Sequence, residues 1–218
     1  MKILCISDQI DPLIYSNSIK QRFADVDLIL SAGDLPVDYH DFIVSSLNKT
    51  MFFVFGNHHT ESYLYYASNA PHSETDFEKH SFGAIYIDAK VRYREGIIIA
   101  GLGGSMRYNR GENQFSEFEM YLRIFKLIPA LVFNRIFRGR CLDILLTHAA
   151  PRGIHDREDK CHWGFKGFLW FMKVFKPKYL VHGHIHLYDL SELRSTKYLN
   201  TMVINAYGHY IIDTGIAL

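Results

Sequence analysis

The chain is poor in cysteine, in net charge and in long hydrophobic runs. Its three cysteines, Cys5, Cys141 and Cys161, lie far apart and form no Cys-x-x-Cys pair. This spacing argues against a disulfide framework and against a zinc site built from thiolates. No apolar run reaches the about 18 residues that a membrane span needs, and the stretch before Asp8 is too short for a signal peptide. We therefore expect reduced thiols and a cytoplasmic protein.

The charges of the chain are nearly balanced. The formal net charge is +1, so no strong overall field favours nucleic acid as a partner. Hydrophobic residues make up 48% of the 218 positions, which is enough for a sizeable core. Repeats, low-complexity segments and Pro/Gly-rich linkers are missing from the sequence, and we expect residues 1–218 to form a single domain.

What the sequence does contain is a series of short apolar runs that each end in polar residues. Continuous Val, Ile, Leu and Phe runs are typical of strands that are buried on both faces. The predicted strands cover residues 2–7, 26–32, 51–55, 96–104, 142–147 and 178–186, with further strand pairs near 84–101 and 187–214. Helical patterns cover residues 16–24, 38–48, 114–137 and 164–175. We therefore predict an α/β fold of mixed sheets with flanking helices, in which Pro129 kinks or splits the third helix.

The ends of these strands carry groups that bind metal ions. Ligand sites in such sheets lie beyond the carboxyl ends of the strands. The groups found there are Asp8, Asp34, Asn57, His58, His148, His184 and His186. Without a partner, such a cluster would be costly to desolvate. Oxygen and imidazole ligands without thiolate suit manganese, iron or zinc, and a carboxylate that bridges two cations suits hydrolysis assisted by two metals.

Five segments of the sequence, in chain order, resemble the motifs of the calcineurin-like metallophosphoesterases. They are Asp8 after the first strand, Gly33-Asp34, Gly56-Asn57-His58, His148 within LLTHAAP, and GHIH at 183–186. The resemblance spans residues 2–186. It implies two mixed β-sheets packed together and flanked by helices. It also implies hydrolysis of a phosphomonoester or phosphodiester at a centre with two divalent metal ions.

The resemblance places Asp8 and His186 on the first ion, with Asp34 bridging both ions. The family usually has Asp-x-His in its first motif, but Ile10 stands at the position of that histidine. Isoleucine cannot bind a cation, so we expect the first site to be weak. Asp11 is a candidate for the missing ligand, although an aspartate before a proline is more often part of a turn.

The resemblance places Asn57, His148 and His184 on the second ion. His58 would be the acid that protonates the leaving oxygen, or a donor to the transition state. The family usually has a carboxylate after this motif, where His59 stands here. We interpret His59 as a residue that supports the site or belongs to the loop. Manganese is the expected metal, with iron and zinc as alternatives.

Other basic residues are candidates for contact with a substrate. Arg107 and Arg110 could pair with a phosphate, although exposed loop positions explain both. His155 and His162 lie in the long polar stretch 149–163 and could line the substrate entrance. A plain surface loop is the alternative for this stretch.

The segment 118–140 is rich in aromatic and basic residues. Such a helix could lie on a membrane surface or meet a lipid tail. More often it covers a sheet with its apolar face, and we favour this interpretation.

Two functions from different classes are compatible with the sequence. The leading hypothesis is metal-dependent hydrolysis of a small-molecule or nucleotide-like phosphate ester, with phosphodiesters slightly preferred. The alternative is a binding or scaffold protein on the same fold with weak or no catalysis, because fold does not dictate activity. His58 and six candidate ligands favour the enzyme, and Ile10 favours the alternative.

Overall fold

The computed structural model describes residues 1–58, 83–94, 96–189 and 191–215. Its helices are α1 Ile19–Arg22, α2 Val37–Leu47, α3 Glu117–Arg138 and α4 Lys166–Phe175, with a 3₁₀ turn at Lys160–His162. Its strands are β1 Lys2–Ser7, β2 Leu28–Ser31, β3 Met51–Phe53, β4 Ala84–Tyr86, β5 Val91–Arg94, β6 Ile97–Leu102, β7 Ser105–Met106, β8 Gln114–Phe115, β9 Ile144–Thr147, β10 Tyr179–His182, β11 Ser195–Tyr198, β12 Thr201–Asn205 and β13 Gly208–Asp213.

The strands build two large mixed sheets. The first has the order β13-β1-β2-β3-β4, and the second has the order β11-β12-β10-β9-β6-β5. Within the first sheet β1, β2, β3 and β4 are parallel, and β13 is antiparallel to β1. Within the second, β12, β10, β9 and β6 are parallel, while β11 and β5 are antiparallel edge strands. Six of these parallel strands are those that the sequence marked as continuous apolar runs, namely β1, β2, β3, β6, β9 and β10.

Three apolar layers show that the sheets are stacked between helices. The inner layer joins side chains of both sheets, among them Leu30, Phe52, Leu146 and Val181. A second layer lies between the six-stranded sheet and helices α3 and α4, and a third lies between the five-stranded sheet and helices α1 and α2. The two packed mixed sheets with flanking helices confirm the fold class that the sequence predicted.

Helix α3 runs as one element through Pro129 and is not split there. A capping box fixes its start, because the Ser116 hydroxyl accepts from the Glu119 N–H while the Glu119 carboxylate accepts from the Ser116 N–H. The helix ends at Gly139 in the left-handed conformation. On its inner face Arg123 pairs with Asp88 of the neighbouring strand region.

The first predicted helix, 16–24, is shorter in the structure. Only Ile19–Arg22 is helical, because the preceding residues form turns. The carbonyl of Asp11 accepts from Ile14 and Tyr15, and the Ser16 hydroxyl donates to Leu13. Local bonds of this kind compete with the helix. The polar stretch 60–83, which the sequence also indicates as a long loop, falls almost wholly outside the described residues.

Candidate metal centre

The two sheets bring their polar strand ends to one rim. Asp8 follows β1, Asp34 follows β2 and Asn57 follows β3 in the first sheet, while His148 follows β9 and His184 follows β10 in the second. Backbone bonds fix these turns, because the Asp8 N–H donates to Gly33 and the Gly183 N–H donates to His148. The carboxyl ends of parallel strands from both sheets therefore lie side by side.

Three of the candidate ligands surround the Nε2 atom of a fourth, His148. This atom is 3.3 Å from Oδ2 of Asp34, 3.2 Å from Oδ1 of Asn57 and 3.1 Å from Nδ1 of His184. Ligand atoms that share one cation at about 2.0–2.2 Å lie roughly 3.0–3.5 Å apart. The separations from His148 match this range, so the four side chains could hold one ion together.

The hydrogen bonds behind the two imidazoles determine which nitrogen faces the cluster. His148 donates from Nδ1 to the carbonyl of Ala32 at 2.7 Å, and His184 donates from Nε2 to the carbonyl of Cys161 at 2.7 Å. A carbonyl only accepts, so each ring has its N–H on the outer side. Lone pairs on His148 Nε2 and His184 Nδ1 therefore face each other, as in histidines that bind a metal.

Asp8 and His186 form the other half of the rim. Nε2 of His186 lies 3.9 Å from Oδ1 of Asp8, and the Asp8 carboxylate accepts from the His184 N–H. The His186 ring packs on Tyr207 at 5.0 Å between centroids and is partly exposed. Among the residues that the structure describes, fewer ligand atoms lie near this half than near His148.

Three of the candidate ligands have a strained backbone. Asp8, Asp34 and His184 have φ angles of 61°, 55° and 67°, which is the left-handed region. Such angles are uncommon outside glycine and cluster at functional sites, where the surrounding fold holds them. The three sharp turns lie at the strand ends that form the rim of the cluster.

The glycines of the motifs make room for these side chains. A Cβ at Gly56 would lie 2.5 Å from Cγ of Asp34 and 2.5 Å from Cε1 of His148. A Cβ at Gly183 would lie 2.6 Å from Oγ of Ser7. The ligand cluster therefore requires glycine at both positions.

Burial and mutual charge shift the protonation of the cluster. Burial opposes charge on His148, but the carboxylates of Asp34 and Asp8 outweigh it and raise the pKa of His148 to about 9. Burial also opposes charge on Asp34, yet His148 lowers its pKa. Burial raises the pKa of Asp8 to about 6, and burial with the neighbouring His148 lowers the pKa of His184 to about 3. The carboxylates therefore stabilise a proton on His148 when no cation is bound.

The catalytic candidate His58 lies at the edge of this cluster. Its backbone N–H donates to Oδ1 of Asp34 at 2.8 Å, and the residue is exposed. His59 lies outside the described residues. Asp11 contacts His209 at 2.5 Å and accepts from the Leu13 N–H at 2.8 Å, which is the geometry of a turn-forming aspartate.

The structure places the proposed substrate contacts in different surroundings. His162 packs against the ring of His184 at 5.3 Å between centroids. Both ring nitrogens of His155 form hydrogen bonds. Nδ1 lies 2.9 Å from Nε2 of His182, and Nε2 lies 2.8 Å from Oγ1 of Thr196. Arg107 donates to the Gln114 carbonyl and to Glu119, and Arg110 is exposed.

Two groups near the site were missed by the sequence reasoning. The Tyr108 hydroxyl accepts from Nδ2 of Asn57 at 3.2 Å and so orients the amide oxygen toward His148. Its position in an irregular loop gave no periodic signal. In addition, Asp159, Cys161 and His162 bring ligand atoms within 4.8 Å of one another, although we had expected no thiol to join a metal site.

Carboxylate, amide and imidazole groups on the rim of two mixed sheets are typical of hydrolases that use divalent cations. A family model described as calcineurin-like phosphoesterase matches residues 1–188. The chain belongs to this family, whose members hydrolyse phosphate esters with the help of metal ions. No curated protein matches the sequence.

Solved structures share the fold at low sequence identity. One crystal structure aligns with a TM-score of 0.67 and 14% identity, covering 98% of this chain and 95% of its own. TT1561 of Thermus thermophilus aligns with a TM-score of 0.62 and 14% identity over 94% of this chain and 88% of its own. An archaeal phosphodiesterase aligns with a TM-score of 0.47 and 14% identity over 99% of this chain and 94% of its own.

Proposed function

We propose that the chain hydrolyses a small phosphate ester, with a slight preference for phosphodiesters, at a centre of two divalent cations. The observation that carries this proposal is the group of ligand atoms from Asp34, Asn57 and His184 around Nε2 of His148. Family membership supports phosphoester hydrolysis in general.

The donor set fits a divalent cation. Asp34 supplies a carboxylate, Asn57 an amide oxygen, and His148 and His184 each an imidazole lone pair. Two lone pairs 3.1 Å apart repel each other unless a positive charge lies between them. Manganese suits this mixture of oxygen and nitrogen best, with iron or zinc as alternatives.

Asp8 and His186 would hold the first cation, with Asp34 bridging to the second. The first site has no imidazole from position 10, so it would bind its ion more weakly. Bound divalent cations neutralise the charge that develops on a phosphate ester and lower the pKa of water.

The chain itself would supply orientation and a proton. Asp34 would be held in place by the His58 N–H, and Asn57 by the Tyr108 hydroxyl. The exposed imidazole of His58 would protonate the leaving oxygen or donate to it in the transition state. Mutation of such an acid usually lowers turnover by about 10²–10⁴-fold.

The test is hydrolysis of bis-(4-nitrophenyl) phosphate and 4-nitrophenyl phosphate by the full chain with manganese. We expect turnover that a chelator removes, and we expect His58→Ala to lower turnover with unchanged metal content. A matched control is His209→Ala, because His209 contacts Asp11 and Phe23 and lies outside the group of side chains around His148. Loss of metal from His58→Ala would instead make His58 a ligand.

A scaffold function is the second candidate, and one observation favours it. Ile10 is 42% exposed at the position where the family's first motif has an imidazole. If the protein is a scaffold, we expect no turnover with manganese, iron or zinc, even when metal analysis shows that both sites are filled. Turnover that His58→Ala abolishes would contradict it.

A further inference from the structure

Helix α3 has a second apolar face that the described structure leaves largely exposed. Its buried face consists of Met120, Ile124, Leu127 and Leu131 against the six-stranded sheet. The opposite face carries an exposed row at spacings of three and four residues. This row, the outer stripe, consists of Phe118, Leu122, Phe125, Pro129, Val132 and Ile136.

The outer stripe is a continuous surface. At about 100° per residue its members fall on one side of the helix, directly opposite the buried face. Phe118 is 70% exposed and Ile136 is 69% exposed, at opposite ends of the 22-residue helix. The neighbouring Phe133 and Phe137 are also exposed and broaden the stripe at its C-terminal end. A contiguous apolar surface of this kind marks an interaction site.

From residue 120 onward the charges around the outer stripe are positive, whereas Glu117 and Glu119 flank Phe118 at its start. Residues 120–140 contain no aspartate or glutamate, and Lys126 and Arg135 are exposed on either side of the stripe. Helix α4 adds to this surface, because Trp170 packs against Tyr121 and Phe125.

The side of α4 that carries Trp170 is basic as well. Lys166 and Lys173 lie four residues before and three residues after it on the same side, and Lys176 follows. Among the described residues none of these lysines, nor Lys126, has an ion pair. The surface therefore combines exposed apolar side chains with unpaired positive charge.

We propose that the outer stripe and its flanking lysines dock the protein on an anionic lipid surface. Aromatic and aliphatic side chains would enter the boundary between headgroups and acyl chains, and the lysines would contact anionic headgroups. A second copy of the chain fits less well, because two stripes in contact would bring Lys126 and Arg135 of both copies together. Among the described residues no helix is apolar enough over a sufficient length to cross a bilayer, so the contact is with the surface. This inference is independent of the proposed catalytic function.

The test is sedimentation of the full chain with vesicles of phosphatidylcholine alone and of phosphatidylcholine mixed with an equal amount of phosphatidylglycerol. We expect binding to the mixed vesicles, weaker binding to the neutral ones, and release by added salt. The double variant Phe118→Gln/Ile136→Gln should bind at least about tenfold more weakly. Lys126→Glu/Lys173→Glu should lose the preference for anionic vesicles.

The matched control is Leu193→Gln/Leu199→Gln, which removes two exposed leucines elsewhere on the surface. It should bind vesicles like the unchanged protein, and melting curves should show that all variants are folded. Absence of binding to mixed vesicles would overturn the proposal. An equal loss of vesicle binding in the control variant would also overturn the proposal. So would light scattering in which the unchanged protein is a dimer, the Phe118→Gln/Ile136→Gln variant is a monomer, and neither binds vesicles.

Discussion

Nε2 of His148 and Nδ1 of His184 lie 3.1 Å apart, and each ring donates its proton to a backbone carbonyl behind it. Two lone pairs are therefore held face to face inside the protein. A proton on His148 would relieve the repulsion in the metal-free state, and the carboxylates of Asp34 and Asp8 favour that proton because they raise the pKa of His148 against the effect of burial. A divalent cation would replace that proton.

Metal binding should therefore depend on pH. His148 has a pKa of about 9 when folded, so a metal must displace its proton at neutral pH. Affinity for manganese should rise about tenfold per pH unit below pH 9 and level off above it. Calorimetry across this range measures the slope. Affinity that does not change with pH would show that His148 is unprotonated or is not a ligand.

The stability of the metal-free protein should fall between pH 6.5 and about pH 9. The raised pKa of His148 contributes stability that is complete below its ordinary value of 6.5 and is lost as the pH rises to about 9. Melting temperatures of the metal-free chain should fall across this window. The His148→Gln variant is the control, and it should lack this decline.

Removal of a second-site ligand should lower metal content. Asn57→Ala and His148→Ala each delete one ligand of the cluster, and loss of site ligands or of their support typically costs about 10–100-fold or more in affinity. Elemental analysis after dialysis measures occupancy. Asn134→Ala and His40→Ala are matched controls, because these buried residues lie outside the cluster. Unchanged metal content in the first two variants would refute the assignment.

Gly56→Ala should disrupt the centre through sterics alone. The new methyl group would lie 2.5 Å from Cε1 of His148 and 2.5 Å from Cγ of Asp34, and closer still to Oδ1 of Asp34, so both side chains must move. We expect a loss of about 1–3 kcal/mol in unfolding free energy, as for other overpacked sites, together with reduced metal affinity.

Gly96→Ala is the contrast to this variant. Its φ angle is 78°, but none of the described residues places an atom within 4 Å of the added carbon. It should reduce stability by about 1 kcal/mol from backbone strain and leave metal affinity unchanged. If Gly56→Ala behaves in the same way as Gly96→Ala, the packing of the cluster is looser than the structure shows.

Ile10→His should strengthen the first site. The side chain is exposed, so the substitution removes little packing, and it restores the imidazole of the family's first motif. Titration with manganese should then show a higher affinity at the first site. Unchanged affinity would mean that another residue already completes the ligand set of the first site. Asp11 is the nearest candidate, and adding Asp11→Asn to the Ile10→His variant would test it.

Local patterns predicted some elements of the fold better than others. The apolar runs predicted the central strands because those strands are buried on both faces and have a continuous pattern. The helix at 114–137 is also predicted, because Phe118, Leu122, Phe125 and Ile128 recur at helical spacing. The first three of these residues lie on its exposed face and not on its buried face. Periodicity alone does not distinguish two apolar faces of one helix.

The sequence by itself determined the family, the mixed-sheet fold and the residues that end the parallel strands, because these follow from local patterns and ordered motifs. Only the tertiary structure decided which nitrogen of each histidine faces the cluster, that Tyr108 supports Asn57, and that Asp11 contacts His209. Each of these contacts joins residues that are distant in the chain. They depend on how two sheets stack, which no local pattern encodes.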